Sequence, residues 1–236
     1  MILADDNFTT IVAAVQEGRG IYDNIRKTIH FLLSCNIGEI LTVFVGFLMH
    51  LPTPLLAIQL LWVNLVTDSL PALALGVEPI DPDIMERKPI RKSSGLFGSG
   101  AVYSILLEGC LIGALSLVAY TAGRLFFDAD PADPVIGRTM GFAVLSLSQV
   151  VHTFNMRSEH SVFELSSHKG SRLIPAAAVC VLLQCSVILI PGLSAVFKTA
   201  ALTFSQWMLV AGLSLVPLAV CEGEKALSRL RSRRNP

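Results

Sequence analysis

Six side chains in the most apolar part of this sequence could hold a metal cation: Asn36, Glu39, Asn64, Thr67, Asp68 and Gln149. Asn36 and Glu39 stand three apart in "SCNIGEI", so a helix turns both to one face, and Gly38 between them permits close approach of a second helix. In "LWVNLVTDSLP", Asn64, Thr67 and Asp68 fall at i, i+3 and i+4, again one face. Pro71 has no N–H, which leaves the Thr67 carbonyl without its helical partner. At membrane depth such a carbonyl persists only where protein or an ion satisfies it. Facing each other, the two helices offer amide, hydroxyl, carboxylate and backbone oxygens, with no thiolate or imidazole among them. That donor set suits a hard cation such as calcium, which takes six to eight oxygens in adaptable geometry, better than copper or zinc.

The alternative is an interhelical hydrogen-bond network, since amides and hydroxyls commonly join membrane helices. It accounts for Asn64 or Thr67 alone. It accounts poorly for two carboxylates with no basic residue nearby, because an acid at the centre of a membrane helix costs about 2.5–3.5 kcal/mol. Gln149, His152 and Asn155 form a stripe spaced by threes, of which Gln149 lies deep enough to share the site. His152 reads as a structural histidine. Glu108, with only Ser104 as a polar neighbour at helical spacing, reads as a helix-packing acid, or else as part of a proton route.

The elements that must position these groups are membrane helices. The 236 residues are 53% hydrophobic and only 15% charged, against about 25% charge in soluble domains, and mean hydropathy is +0.63. Apolar runs of about twenty residues, the length that crosses a hydrocarbon core, predict six spans near 30–50, 55–76, 100–122, 137–155, 173–195 and 202–222. The expected fold is an all-α membrane protein, a six-transmembrane-helix bundle. Fifteen of the eighteen lysines and arginines fall on one side of it. The positive-inside rule then puts both termini in the cytoplasm of a multi-pass protein of the cell membrane.

Residues 1–5 read as a short cytoplasmic strand. From Thr9 or Thr10 a helix is expected to run unbroken as a stalk into the first span, on the helical spacing of Ile11, Val12, Val15, Ile21, Ile25 and Ile29. This divides the chain into 1–29, the strand and stalk; 30–222, the six-helix bundle; and 223–236, a basic tail suited to anionic lipid. A strand with no partner and a long stalk suggest a further segment upstream. The loop at 77–99 is either a docking element or a solvated connector, and Asp128, Asp130 and Asp133 in the loop at 123–136 read as solvated. The five cysteines read as small packing residues, and a formal net charge of zero argues against nucleic acid as a partner.

"ADDNFTTIVAAVQEGRGIYDNIRKTIHFLLSCNIGEI", "QLLWVNLVTDSLPALALGVEP" and "DPDIMERKP" resemble the carboxy-terminal part of P-type cation-transporting ATPases, above all the sarcoplasmic-reticulum-like calcium pumps and their bacterial relatives. The resemblance is strong over 1–95 and looser beyond. It implies that the six helices correspond to the fifth to tenth of ten, and that the end of a phosphorylation domain leads into the stalk. It further implies that Asn36, Glu39, Asn64, Thr67 and Asp68 are calcium ligands, with Asp68 bridging two ion positions. Two-calcium members carry glutamate where Gln149 stands, which implies one calcium per cycle. The family's DKTGT and TGES motifs do not occur here, so ATP and magnesium would act only through a cytoplasmic headpiece outside this chain. The resemblance implies alternating access, with protons carried back on the emptied carboxylates and Glu39 as the main carrier. The competing expectations are a manganese or other cation pump of the same type, an ATP-independent transporter, and a non-transporting membrane remnant.

Overall fold

The computed structural model describes residues 8–87, 100–157 and 171–234, with side chains to 225. The expected strand at 1–5, the latter part of the 77–99 loop and the side chains of the tail arginines lie outside what is described. Among the described residues, eight α-helices and one π-helical turn follow in order: α1 (Phe8–Leu48), α2 (Ala57–Trp62), the π turn (Val63–Asp68), α3 (Ser69–Gly76), α4 (Ala101–Phe126), α5 (Val135–Arg157), α6 (Leu173–Leu189), α7 (Pro191–Phe197) and α8 (Phe204–Arg234). No strand occurs among the described residues.

Among the described residues, four stretches are long and apolar enough to cross a membrane: α1, the continuous α2–π–α3 rod, α4 and the Phe204–Lys225 part of α8. A fifth is reached if α6 and α7 count as one broken span. The expected count of six is therefore not met by length and hydropathy. Two physical causes separate the numbers. The α5 stretch does fold as a helix, but Arg138, Thr139, Ser146, Ser148, Gln149 and His152 dilute its hydropathy, and nearly all of them are buried because α5 is the central helix. It packs against α1, α4, α6 and α8, so protein rather than lipid surrounds it. The span expected over 173–195 bends by 87° between Leu189 and Pro191. Proline pushes the residue before it out of the helical region, and Ile190 accordingly takes φ −87°, ψ 118°.

At 41 residues α1 is about 60 Å long, twice the thickness of a hydrocarbon core. Its first half projects as the expected stalk. The described part of the loop after α3 is not a free connector, because it clasps this stalk. Asn24 Nδ2 donates to the Glu78 carbonyl at 2.8 Å, Lys27 Nζ meets Asp81 Oδ2 at 3.1 Å, and Arg19 Nη1 donates to the Ile84 carbonyl at 3.1 Å. Arg87 bridges Asp81 and Asp83. Asn24 is buried, so Asn24→Ala strands the Glu78 carbonyl, an expected loss of about 1–2 kcal/mol. Thermal unfolding of the two proteins in the same detergent measures it; equal midpoints would contradict the clasp.

The aspartates of the 123–136 loop are not merely solvated. Asp128 accepts from the backbone N–H groups of Ile136 and Gly137 at 2.9 and 2.7 Å, capping the start of α5. Asp133 pairs with Arg138 at 2.9 Å. Cys35, Cys180 and Cys221 are buried as expected of packing residues, whereas Cys110 is exposed.

Candidate cation site

α1, the π turn and α5 bring three of the predicted donors, Glu39, Asn64 and Gln149, into hydrogen-bond contact. Glu39, on α1 and buried, accepts from Asn64 Nδ2 through Oε2 at 2.7 Å and from Gln149 Nε2 through Oε1 at 3.2 Å. One carboxylate thus ties all three elements together, and the Gln149 contact spans 110 positions of sequence. Thr67 is buried with its hydroxyl turned back to the Val63 carbonyl at 3.0 Å. Asn36 is the least engaged of the six: half-buried, it donates to the Leu32 carbonyl of its own helix at 2.7 Å.

Asp68 is the anomaly. It is 1% exposed, and neither carboxylate oxygen has a hydrogen-bond partner of normal geometry. The Cys35 thiol, a weak donor, comes near it, and Glu39 lies within electrostatic range. The Gln149 Oε1 atom is also without a partner. Buried polar atoms are nearly always paired, and a carboxylate taken from water without compensation is among the most costly of groups. Two acids share this region with no basic side chain against either. Among the described residues no three His, Cys, Asp or Glu side chains converge as a metal cluster would. The donors are instead two carboxylates with amide, hydroxyl and carbonyl oxygens, which is oxygen-rich and acid-poor.

The π turn is what helical spacing could not anticipate. From Val63 to Asp68 the backbone widens, and Ser69 Oγ donates to the Asn64 carbonyl at 2.9 Å. The Val66 carbonyl faces the Cys180 thiol of α6 at 3.8 Å. Such turns cluster at functional sites because they re-aim side chains and loosen carbonyls. The only sequence signal for this one was Pro71, which had pointed to a single freed carbonyl. The two thiols near the site were also missed, since Cys35 and Cys180 carry no motif.

The profile described as "Cation transporting ATPase, C-terminus" matches residues 52–227, most of the chain. The chain belongs to the cation-transporting ATPases. Its relatives include calcium-transporting ATPase 1 of Bacillus cereus (strain ATCC 10987 / NRS 248), 46% identical over 235 residues that cover 94% of this chain and 26% of that protein. The calcium-transporting ATPase of Bacillus subtilis (strain 168) is 42% identical over 223 residues, 94% of this chain and 25% of that protein. Calcium-transporting ATPase 1 of Lactococcus lactis subsp. lactis (strain IL1403) is 36% identical over 229 residues, 96% and 25%. The chain spans about a quarter of the length of these relatives. It is a carboxy-terminal membrane part of a P-type cation-transporting ATPase, and the lipid-facing sides of its spans carry exposed Phe44, Leu61, Leu65 and Leu73.

Proposed function

We propose that this chain is the cation-translocating membrane part of a calcium pump. It takes calcium among α1, the π turn and α5 and moves it out of the cytoplasm, with protons returning on the emptied acids. The observation that carries this reading is Asp68, a buried carboxylate with no partner beside the Glu39–Asn64–Gln149 linkage. The names of the relatives support calcium as the cargo. Asn36, Glu39, Asn64, Thr67, Asp68 and Gln149 are the proposed ligands. Glu39 is held by the side-chain amides of Asn64 and Gln149, the same amides whose oxygens would serve an ion. An entering ion would therefore displace two amide N–H bonds and rotate both groups.

Residues 1–29 serve as the end of a phosphorylation domain and the stalk, 30–222 as a six-span transport domain and 223–236 as a basic tail, both termini being cytoplasmic in the cell membrane. ATP and magnesium act through a cytoplasmic headpiece, in the same chain or as a partner. The clasp between the stalk and the loop after α3 links that headpiece to the site, since it joins α1 to the end of the α2–π–α3 rod.

Two carboxylates neutralise one divalent ion, and Gln149 adds no charge, so one calcium per cycle is expected. Bound calcium-45 per phosphoenzyme, measured on the full-length ATPase that contains this chain, checks it; a ratio of two would refute the single-ion reading. Failure of calcium to drive phosphoenzyme formation would refute calcium as cargo. Manganese is the second reading, because it takes the same carboxylate, carbonyl and amide oxygens as calcium. Phosphoenzyme formed with manganese but not calcium would establish it.

A further inference from the structure

Glu108 of α4 takes no part in the site above, yet it meets histidines from two other helices. Its Oε2 atom lies 2.7 Å from His30 Nε2 of α1 and 3.4 Å from His152 Nε2 of α5. Ser34 Oγ of α1 stands 3.1 Å from the same His152 nitrogen. His152 is fully buried and its Nδ1 has no hydrogen-bond partner. Neither histidine was tied to Glu108 by spacing, because His30 is 78 positions away from it in the sequence.

The charge balance of this triad is constrained. Among the described residues, the titratable groups that face Glu108 are His30 and Cys35 from α1, His152 from α5 and Cys221 from α8. None of them carries a fixed positive charge. A buried carboxylate therefore needs one proton among the three groups, either on an imidazole or on itself. With no proton the cluster is negative, and with two it is positive. Groups this close exchange that proton as a unit and not as three separate sites.

The triad and the cation site share two helices. Gln149 to Glu39 and His152 to Ser34 are parallel crossbars between α5 and α1, three residues apart on one helix and five on the other. A divalent ion beside Glu39 and Asp68 adds positive charge within electrostatic reach of the triad, since Cys35 lies in range of Glu39, Asp68 and Glu108 together. The same ion pulls on the Gln149 crossbar, one turn of α5 from His152.

We propose that Glu108, His30 and His152 form a proton-binding site, separate from the cation ligands, that releases its proton when a divalent cation occupies the Glu39–Asp68 site. The assignment of the cation site rests on the function proposed above; the proton site itself rests on the triad's geometry. His30, whose side chain is 20% exposed, is the member from which the proton leaves.

The experiment is calcium-45 affinity against pH, over about pH 6–8 where histidine titrates, on the full-length ATPase in lipid nanodiscs. Protons displaced per ion are the slope of log affinity against pH. Glu108→Gln is expected to lower that slope by about one proton relative to wild type. His152→Gln, a second variant in case Glu108→Gln does not fold, is expected to lower it similarly. Unchanged slopes in both variants would overturn the proposal. Nitrogen-15 imidazole spectra of His30 and His152 supply a readout that needs no cation. Titrations that move together, and that both change in Glu108→Gln, support the proton site; independent titrations untouched by the variant overturn it. Coupled titration in a protein that binds no calcium-45 would uphold the proton site and remove calcium as the cargo.

Discussion

Asp68→Asn is expected to make the cation-free protein more stable while abolishing its affinity for calcium. Two opposite signs from one substitution follow from the same observation. Asp68 is buried with neither oxygen paired, so without a cation the acid carries a desolvation cost, met either as an unpaired charge or by taking up a proton. Asparagine has nearly the same shape and no charge. Removing such a cost is worth about 1–3 kcal/mol, and each kcal/mol raises the unfolding midpoint of a chain this size by about 2–4 °C. Calcium binding, in contrast, loses one of two negative ligands, which is expected to weaken affinity by about 100-fold or more. A thermal-shift series in chelator and in rising calcium measures both effects. Wild type should gain stability with calcium by mass action, about 2.7 kcal/mol at 100 times Kd. The variant should start higher and stay flat. A variant less stable than wild type in chelator would mean that Asp68 has a structural partner, and a retained calcium shift would remove it from the ligand set.

Gly113→Leu is expected to disassemble the α1–α4 interface and, with it, the site. A Cβ at Gly113 would stand 2.8 Å from the Gly38 carbonyl and 3.3 Å from Leu41 Cβ. The nearer obstacle is backbone, which cannot rotate away, so α4 must shift off α1. Overpacking of this kind costs about 1–3 kcal/mol and sometimes more. Gly38 adjoins Glu39, so the displacement passes directly into the carboxylate that links Asn64 and Gln149. Loss of folded yield together with loss of calcium binding is the expected outcome, and Gly113→Ala should show a milder form of both. Gly212 is the control: nothing lies within 4 Å of a Cβ there, and Gly212→Ala in mid-helix should be neutral or stabilising by up to about 1 kcal/mol. If Gly113→Leu matched that control, the close packing would not be what sets the site.

How much of this was legible beforehand differs by feature. The stalk helix was readable because apolar residues recur with helical period and nothing interrupts them until the first span ends. Glu39, Asn64, Asp68 and Gln149 were readable as a group because acids and amides in apolar helices are costly, and their cost marks them. Asn36 belonged to the same argument, yet it bonds to its own helix. Helical spacing establishes a shared face but not which rotamer a side chain adopts there. The span expected over 173–195 was read as straight, whereas the helix bends by 87° at Pro191. The loop aspartates were underread, because a cap depends on where the next helix begins in space. The π turn had no signature beyond one proline.

The sequence by itself determined that this chain is a bundle of membrane helices with one polar, acidic face on each of its first two spans. Hydropathy and period are local properties, and local spacing suffices for them. Tertiary structure alone decided which faces meet: that Gln149 rather than His152 reaches Glu39, that Asp68 is left unpaired, and that Glu108 finds two histidines on other helices. The reason is that the rotation and axial offset of one helix against another are set by packing, here by the contact of Gly38 with Gly113 and of the loop after α3 with the stalk. A shift of one residue in that packing would pair different side chains from the same helices. No single helix encodes its own register, so the proposed ion site and the proposed proton site both depend on the bundle.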